Sequence, residues 1–381
     1  NGIIDIRNTG SDGIVFENGS KTLDTNDSVN ITNSGSNGIH VRGHITGNGI
    51  NVDNRDSNVI IGYSKDDNFM NSTADVNIMV NNGNVFNYGT KANLIKANGN
   101  LDIETQNGAI GKEVGPCEGG ICTGIITDSR DLKKSVNHTI DGTVKAISTG
   151  SNALINLASL DTDLRADQIK SDGRVILLAD SSNNLSTLSS GAVKTTGASA
   201  YNIVNRSSYG EPNVEGTGIS MIASGNIGET YKPLTFRQNG VSTIFYGDSA
   251  TNPHVYKANN KLNKGVDILA INDVNVKGMD SDSGNKLDTN VCAIISRTGQ
   301  VKAEFSGDTY LEETTSPSTI DITTRGKNLY VNNLGQAPTT YKNGRNDYYG
   351  PGKSITPDNA KLTALDLGSS WSDSARPRYE H

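Results

Sequence analysis

The chain has few of the side chains that fill an ordinary globular core. Only 34% of its 381 residues are hydrophobic, 5% are aromatic, and Trp371 is its one tryptophan. A single compact core of ordinary size would be short of apolar side chains. Regular apolar runs such as Val175 to Leu178 nevertheless argue against disorder of the whole chain. The composition therefore favours an elongated, ordered protein.

The chain also lacks a cationic surface and a long apolar segment. Its formal net charge is −7 and its pI is about 5.3, whereas a protein that binds phosphates needs concentrated positive charge, so we expect no nucleic-acid partner. No apolar run approaches the roughly 20 residues that cross a bilayer, so we expect no direct membrane span. No signal-peptide pattern opens the chain, and it starts at Asn1 without Met. We therefore expect a piece of a longer protein.

Cysteine is scarce, with three residues in all, which excludes a disulfide scaffold. Cys117 and Cys122 flank a turn-like Glu-Gly-Gly-Ile stretch, and this spacing suits a small local disulfide in an oxidising compartment. Two free thiols are the alternative. A zinc site is less favoured, because no second Cys or His pair stands at ligand spacing. The sequence predicts no cofactor and no metal ion.

What the chain does have is a repeat. Ile6 to Phe16 reads IRNTGSDGIVF and Ile31 to Val41 reads ITNSGSNGIHV, 25 residues further on. Gly and Asn at the corners with β-branched residues between them are typical of a solenoid, in which each coil buries its apolar residues against the next coil. The repeat predicts a rod.

A shorter motif recurs inside the repeat. Asn or Asp is followed by Gly and Ile at Asn1, Asp12, Asn37 and Asn48, and in the last three copies any residue and a second apolar residue come next. The first two residues supply the positive φ of a tight corner, and the alternation that follows is typical of a short strand. A two-stranded hairpin would use the same signals. The return of the pattern in register favours the solenoid.

Strand candidates separated by Asn, Gly and Ser corners continue along the chain. They are Val76 to Val80, Leu101 to Thr105, Thr143 to Ser148, Arg174 to Ala179, Ile219 to Ala223, Val266 to Val276, Val301 to Leu311, Ile320 to Thr323 and Asn328 to Val331. One segment, Leu160 to Ile169, carries Asp and Arg among its Leu residues and is expected to form a turn or two of helix.

A longer motif links NGAIGKEVGP at Asn107 to SGNIGETYKP at Ser224. Each copy follows a strand, and each is expected to end a coil, at Ile110 or Ile227. Gly then lets the chain leave the stack, and Pro stops further strand pairing. Irregular loops should project there, and loops held by a rigid scaffold are where binding specificity usually lies.

The character of the chain changes after residue 333, where Pro, Gly and Tyr become frequent. We predict a β-helix shaft over 1–333 and an irregular excursion over 334–381, within which LTALDLGSS restarts the β-helix. Tyr341, Tyr348 and Tyr349 either pack this excursion onto the rod or form an aromatic contact surface for a glycan or a protein.

Three stretches resemble the filamentous haemagglutinin-like adhesins of two-membrane bacteria, and within them the leukotoxin-type filamentous adhesin family. They are LDIETQNGAIGKEVGP, SMIASGNIGETYKPLTF followed by VDILAINDVNVKG, and GDTYLEETTSPSTIDITTRGKNLYVNN. The resemblance covers roughly Asn98 to Asn333. It implies a right-handed parallel β-helix, export through an outer-membrane secretion pore, and a secreted or cell-surface role in attachment. One branch of the family is also toxic to white blood cells.

Several groups of charged residues and histidines could in principle form a catalytic or a metal site. Clusters at Asp66-Asp67, at Asp128 with Arg130 and Asp131, and at Asp161 with Asp163 and Arg165 suit the carboxylate chemistry of β-helix lyases and hydrolases, but solvated corner charges explain them better. Asp280 to Asn285 falls short of the EF-hand calcium template and is expected to be a plain turn. His40 and His44 are expected to be exposed histidines without a metal.

These observations predict an all-β protein, a right-handed parallel β-helix (solenoid) with extra-helical loops, that is not an enzyme. Its expected function is that of a structural and adhesive shaft segment of a large secreted or surface-displayed bacterial adhesin. The expected partners are a host-cell receptor or glycan and, for the parent protein, the secretion pore. A toxin fragment acting on leukocytes and a β-helix polysaccharide lyase or hydrolase are the alternatives.

Overall fold

The fold was determined from a computed structural model. The structure describes residues 2–17, 23–62, 69–88, 95–113, 134–182, 200–207, 210–239, 265–279, 289–296, 298–307, 309–315, 318, 320–324, 328–333, 341–343, 346–348 and 361–364.

The described residues form strands and turns, with no α-helix among them. The strands are β1 Ile4–Asn8, β2 Ile14–Phe16, β3 Leu23–Asp24, β4 Val29–Asn33, β5 Ile39–Val41, β6 Ile45–Gly47, β7 Ile50–Asp56, β8 Val59–Ile61, β9 Met70–Ser72, β10 Val76–Asn82, β11 Val85–Asn87, β12 Ile95–Ala97, β13 Leu101–Gln106, β14 Ala109–Ile110, β15 Val136–Ile140, β16 Val144–Thr149, β17 Leu154–Leu160, β18 Leu164–Ser171, β19 Arg174–Asp180, β20 Ile203–Asn205, β21 Val214–Gly216, β22 Ile219–Ala223, β23 Leu234–Gln238, β24 Val266–Ala270, β25 Val274–Gly278, β26 Thr289–Ser296, β27 Val301–Phe305, β28 Thr309–Thr315, β29 Ile320–Thr324, β30 Asn328–Asn333, β31 Tyr341–Asn343, β32 Asn346–Tyr348 and β33 Lys361–Ala364.

The strands stack as a parallel β-helix, as the repeat predicts. Ile6 pairs in parallel with Ile31, and Phe16 pairs with Val41, so the 25-residue repeat is one coil. The expected hand follows from the general rule that parallel crossovers are right-handed. Because every coil pairs with its neighbours through backbone hydrogen bonds, the chain extends along one axis.

Each of the first five coils has three strands, one on each face of the rod. Face 1 contains β1, β4, β7, β10 and β13; face 2 contains β2, β5, β8, β11 and β14; face 3 contains β3, β6, β9, β12 and β15. Face 1 continues in parallel through β16, β18, β21, β23, β25, β27 and β29 to β31. Thirteen strands therefore stack on this face, and at about 4.8 Å per step they span about 58 Å.

Faces 2 and 3 merge at β17. This strand pairs with β14 through Ile155 and with β15 through Leu157, so it extends across two faces that were separate in the preceding coil. From β17 onward the coils have one strand on the merged face and one on face 1, except that two short strands, β20 and β21, both pair with β18 on face 1. Along the chain the rod therefore changes from three strands to two strands per coil.

The interior is a continuous apolar column. On face 1, Val29 and Ile31 point inward above Ile50 and Val52, and all four are at most 2% exposed. The outward neighbours are polar, which gives the alternation expected of a strand with one buried face. Burial of apolar area contributes about 25 cal/mol per Å², so each added coil stabilises the one before it.

The merged face is also buried on its outer side. Ala158, Leu178, Ile222, Leu269 and Ile295 pair in register from strand to strand and are all nearly inaccessible to solvent. Strands buried on both faces read as continuous apolar runs, which explains the sequence Val-Ile-Leu-Leu in β19.

Asparagine ladders connect the coils. Inside the rod, the side chain of Asn8 donates to Asn33, which donates to Asn54, each at 2.7 Å. Outside the rod, Asn77 donates to Asn51 at 2.8 Å, and Asn51 donates to Asn30 at 2.9 Å. Such ladders satisfy side-chain amides while fixing the register of neighbouring coils.

A third ladder follows the corner before face 1 in the later coils. The side-chain oxygen of Asp163 accepts the backbone N–H of Asn202, and Asn202, Asn226 and Asp273 each accept the N–H of the next coil in the same way, at 2.7 to 3.0 Å. This corner is thus closed by a column of short polar side chains.

The expected helix at Leu160 to Ile169 is wrong. These residues end β17, turn at Asp161, whose φ is +61°, and continue as β18. The acidic and basic residues that suggested a helix lie at a coil corner and on the outer side of face 1. β18 alternates between inward and outward residues except at Asp167 and Gln168, which both lie on the outer side where the register shifts. This interruption gives the apolar residues Leu164, Ala166 and Ile169 a spacing that resembles a helical pattern.

Two of the expected strands are each two strands. Val266 to Val276 is divided between β24 and β25 by a corner at residues 271–273, and Val301 to Leu311 is divided between β27 and β28. At the first corner, the Asp273 carboxylate accepts the N–H of Gln300 in the next coil, at 3.0 Å. Polar corner residues are therefore easy to mistake for the outer positions of one long strand.

Coil length varies along the rod. Leu101 pairs with Val144, Ile169 with Val214 and Leu234 with Val276, whereas the other steps of the path from β1 to β31 on face 1 repeat after 19 to 27 residues. Each long step inserts a segment between two coils that still pair in parallel. Beyond residue 333, β31 pairs in parallel with β29, and β33 pairs in parallel with β30, while the division at 333/334 stays a prediction.

Candidate functional site

The Ile-Gly motif at Ser224 forms a short turn on face 1, which we name the Gly228 turn (residues 228–233). Ile227 makes isolated parallel bridges to the coils on both sides, and Gly228 then adopts φ +72°. Glu229 and Lys232 exchange backbone hydrogen bonds, and β23 begins at Leu234. The departure at Gly228 is as predicted. The projecting loop is wrong for this copy, because the chain returns to the stack after one turn.

Gly228 is required by close packing as well as by its φ. A Cβ atom at this position would lie 1.8 Å from the backbone oxygen of Asn275 in the next coil. The first copy of the motif begins in the same way, with Gly111 at φ +85° after Ile110. Both glycines adopt a conformation that other residues occupy at a cost.

Ion pairing holds the Gly228 turn against the preceding coil. The guanidinium of Arg206 donates to both carboxylate oxygens of Glu229, at 2.9 and 3.0 Å. This hydrogen bonding lowers the pKa of Glu229 and raises the pKa of Arg206. Lys232 Nζ donates to the backbone oxygen of Ser207 at 3.3 Å. The bidentate pair fixes the angle at which the turn lies on the face.

A groove separates the Gly228 turn from the outer side of β25, β27 and β29. We name it the turn groove, and its cavity volume is about 180 Å³. One wall is formed by the turn, and the floor by outward side chains of face 1. The lining residues are Thr230, Pro233, Asn275, Val276, Lys277, Lys302, Ala303, Glu304 and Asp321.

Asn275 is the unusual residue of the turn groove. It is on the outer side of β25, yet it is only 3% exposed, because the turn lies over it. Its side-chain oxygen has no hydrogen-bond partner among the residues that the structure describes. A buried acceptor left unpaired costs on the order of 1–3 kcal/mol.

The charges of the turn groove are balanced. Lys277 Nζ lies 3.7 Å from Oε1 of Glu304 and forms an ion pair with it. Lys302 lies between Asn275 and Asp321, its neighbours in register on the two adjacent strands. The ammonium of Lys302 makes no ion pair with any described residue. Two cations and two carboxylates thus offer both donors and acceptors within one small cavity, which is the pattern of a specific polar site.

An exposed tyrosine stands at the tip of the Gly228 turn. Tyr231 is 100% exposed, whereas its neighbour Thr230 lines the groove. An exposed aromatic ring is apolar surface, and covering it with a partner lowers the free energy. The groove therefore has a polar floor, and an exposed aromatic residue follows its lining residue Thr230 on the turn.

A second surface lies on the outer side of face 2. Val15, His40, Ile60 and Phe86 follow one another in register, so this column is apolar and aromatic where outward side chains are usually polar. Lys112 Nζ lies 4.6 Å from the centre of the Phe86 ring. A shallow cavity of about 430 Å³ begins beside Phe86.

The expected disulfide at Cys117 and Cys122 lies outside the described residues. So do the Asp66-Asp67 and Asp128–Asp131 clusters, the Asp280–Asn285 turn and Tyr349. Tyr341 and Tyr348 pair with each other across the antiparallel strands β31 and β32.

The remaining acidic cluster serves the fold. Asp161 accepts the N–H of Ser182 at 2.9 Å, and Asp163 accepts that of Asn202 at 2.8 Å. Arg165 donates to the backbone oxygen of Asp141. Because each side chain binds a different neighbour, the three do not converge on one point as a catalytic set would.

The two histidines are half-buried, so the expectation that they are exposed is wrong. Strand β5 contains His40 but ends at Val41, before His44. The ring of His44 stacks on the ring of Phe69, with the ring centres 5.5 Å apart. The centre of the His40 ring lies 5.9 Å from that of Tyr88, and burial lowers the pKa of His40. Within the described ranges, no group of three or more His, Cys, Asp and Glu side chains could hold a metal ion. In the same ranges, no helix is long and apolar enough to cross a membrane.

Sequence reasoning identified the Gly228 turn but missed the floor of its groove. Asn275 and Lys302 stand in ordinary strand patterns, VNVKG and VKAEF, and nothing local distinguishes them from other outward residues. Their proximity to the turn depends on the pairing of coils that are 27 or more residues apart. Comparison with protein-family models, with curated proteins and with solved structures found no match.

Proposed function

We propose that this chain is a structural and adhesive shaft segment of a large bacterial filamentous adhesin, secreted or displayed on the cell surface. The proposal is supported by the resemblance of Asn98 to Asn333 to that family and by the parallel β-helix. The observation that carries it is the unbroken parallel ladder on face 1, from β1 to β31.

A stack of this kind is suited to a shaft for a physical reason. Each coil contacts only its neighbours, so coils add length without needing a larger core. The ladder already spans about 58 Å over thirteen strands. The rod holds side features such as the Gly228 turn at fixed positions along its length. Many weak contacts made along such a rod combine into effective attachment.

Nearest-neighbour stability also fits export of the parent protein through an outer-membrane pore. A solenoid folds by adding coils to an existing end, so the chain can fold as it emerges. The ladders are satisfied coil by coil, as the interior contact from Asn8 to Asn33 shows. Host-cell receptors or glycans are the proposed partners of the exported rod.

The test is binding of the labelled chain to epithelial cells and leukocytes by flow cytometry, with cell viability measured in the same samples. The control is the same chain after heat unfolding, because attachment should require the folded rod. Saturable binding to intact cells supports the proposal, and absence of binding contradicts it. Lysis of leukocytes would favour a toxin fragment. Release of unsaturated, ultraviolet-absorbing products from acidic polysaccharides would favour a lyase.

A further inference from the structure

We propose that the free edge of β1 binds a second copy of this chain, so that two rods join head to head through an antiparallel pair of β1 strands. Among the strands that the structure describes, β1 pairs with β4 alone, which leaves its other edge open. Three features of the first coil carry the proposal: its backbone, its outer charges and its apolar interior. The inference goes beyond the adhesive function proposed above and does not depend on it.

The backbone of β1 presents hydrogen-bonding groups at its free edge. In the ladder with β4, the N–H of Ile4 donates to the Ser28 oxygen at 3.0 Å. Successive residues of a strand direct their backbone groups to opposite sides, so the N–H and C=O groups of Asp5 and Arg7 point to the free edge. An edge of this kind is a template for another strand.

The outer charges of β1 are self-complementary. Asp5 and Arg7 form an ion pair at 2.9 Å on the outer side of the strand, where their side chains are 43% and 71% exposed. An antiparallel pair centred on Ile6 places Asp5 opposite Arg7 of the second copy, and Arg7 opposite Asp5 of the second copy. Opposite charges directly across two strands stabilise the pair.

The backbone and the charges select the same register. In a pair centred on Ile6, Asp5 and Arg7 of the second copy exchange backbone hydrogen bonds, while the two Ile6 residues form a non-hydrogen-bonded pair. A pair centred on Asp5 or on Arg7 would instead place like charges opposite each other, which is destabilising. One antiparallel register therefore satisfies both requirements.

The interior of the first coil is only partly covered. Ile6 and Ile14 are partly exposed, whereas their register partners in the second coil, Ile31 and Ile39, are each 1% exposed. A two-fold axis through the β1 pair reverses the order of the faces, so β2 of one copy lies over β3 of the other. The partly buried Ile14 and Leu23 are then covered together, and burial of their apolar surface favours the dimer.

The opposite end of face 1 favours a head-to-head arrangement over a head-to-tail one. There the last parallel strand, β31, pairs with β32, which runs antiparallel to it. β32 reads Asn-Asp-Tyr and has no basic residue to match Asp5. Pairing of β1 with β1 uses the same surface on both copies and closes after two, whereas β1 on β32 would continue as a filament. We therefore expect a dimer.

The experiment is analytical ultracentrifugation of the full chain over a range of concentrations, with the charges of β1 exchanged. R7E gives β1 two acidic outer side chains, and D5R gives it two basic ones, so each variant alone places like charges opposite each other. Each should weaken the dimer by about tenfold. An equimolar mixture of the two variants should restore the dimer, because every acidic side chain then faces a basic one.

R55E is the matched control. Arg55 follows Asp53 by two residues on the outer side of β7, as Arg7 follows Asp5 on β1, but β7 pairs with a strand on both sides. R55E should therefore leave the dimer unchanged. The proposal is overturned if the native chain stays monomeric, if it forms larger oligomers that grow with concentration, if R55E weakens the dimer as much as R7E, or if mixing restores nothing.

A distance measurement identifies the surface that joins the copies. With the native cysteines replaced by Ser, a single spin label on Met79, on the outer side of β10, lies three strand steps from β1 in each copy. One further step between the copies gives seven, so the pulsed electron-resonance distance should be about 34 Å, apart from the reach of the labels. A dimer with a different distance would overturn the β1 pairing.

Circular dichroism confirms that R7E and D5R keep their β structure, and both replaced side chains are outside the core. Failure of this proposal and failure of the adhesive proposal are distinguishable. A monomer that binds cells contradicts only the head-to-head pair. A dimer that binds no cells contradicts only the adhesive function.

Discussion

Replacing Asn33 with Ala should destabilise the first coils far more than replacing Asn51 with Ala. Both residues are in asparagine ladders of face 1, but Asn33 is inside the rod and is 1% exposed, whereas Asn51 is on the outer side. The pair therefore separates the effect of burial from the effect of the ladder itself.

The magnitude follows from the hydrogen bonds that Asn33 makes. Its side chain accepts from Asn8 and from the N–H of Gly35, and it donates to Asn54 and to the Gly35 oxygen, at 2.7 to 3.1 Å. The alanine variant leaves the Asn54 side-chain oxygen and the Gly35 N–H unpaired inside the rod. At about 1–3 kcal/mol for each of the two buried groups, the loss should be roughly 2–6 kcal/mol.

The Asn51 variant loses two half-exposed hydrogen bonds, to Asn30 and from Asn77, whose groups water can satisfy. We expect a loss below about 1 kcal/mol.

The assay is hydrogen exchange followed by mass spectrometry, with urea unfolding as the global measure. In N33A, exchange should accelerate in β1, β4 and β7 and remain unchanged in β24 to β27, because stability in a stack is passed between neighbours. The reasoning is refuted if the two variants lose the same stability, or if N33A accelerates exchange evenly along the whole rod.

Three further outcomes are expected. Gly228→Ala should lower the free energy of unfolding by more than about 2 kcal/mol, because the added Cβ would lie 1.8 Å from a backbone oxygen of β25. Gly210→Ala is the control and should be near neutral, because a Cβ there would have no described atom within 4 Å. Urea unfolding measures both variants. Burial lowers the pKa of His138 to about 4, so the unfolded chain binds more protons between pH 6.5 and 4. Stability should fall by up to about 3 kcal/mol as the pH falls through that window, and a His138→Leu variant that keeps the same pH slope would contradict this. Glu229→Gln should lower the free energy of unfolding by less than about 1 kcal/mol at pH 7, because Arg206 and Glu229 are partly exposed. The difference from the native chain should vanish as the pH falls through the lowered pKa of Glu229. A difference that persists in acid would rule out the ion pair as its cause.

Much of the fold could be predicted from sequence because a solenoid repeats its local pattern. The offset between Ile6 and Ile31 gave the register of the first two coils, and Ile219 to Ala223 is a strand with the expected bounds. The errors fall at coil corners. Asp161, at positive φ, turns the chain between two strands, and a single sequence does not distinguish this corner from the start of a helix.

The site was less accessible to sequence reasoning than the fold. The motif at Gly228 predicted a departure from the stack. The groove could be predicted only if it were known that the backbone N–H of Asn275 donates to the Ile227 oxygen and that Asn275 pairs with Lys302 on the next strand. The merging of faces 2 and 3 at β17 has no local signal either, since it depends on two earlier strands pairing with one later strand. These features arise from long-range register.

Spin-label distances along face 1 test the stacked rod most directly. With the native cysteines replaced by Ser, label pairs join Asp5 in β1 to Asp102 in β13, to Gln168 in β18, or to Glu304 in β27, which are four, six and ten steps away. At about 4.8 Å per step, the pulsed electron-resonance distances should be near 19, 29 and 48 Å, apart from the reach of the labels. Distances that rise linearly with the number of coils are the predicted result. Distances that level off or shorten with increasing separation would contradict the parallel stack, and with it the shaft.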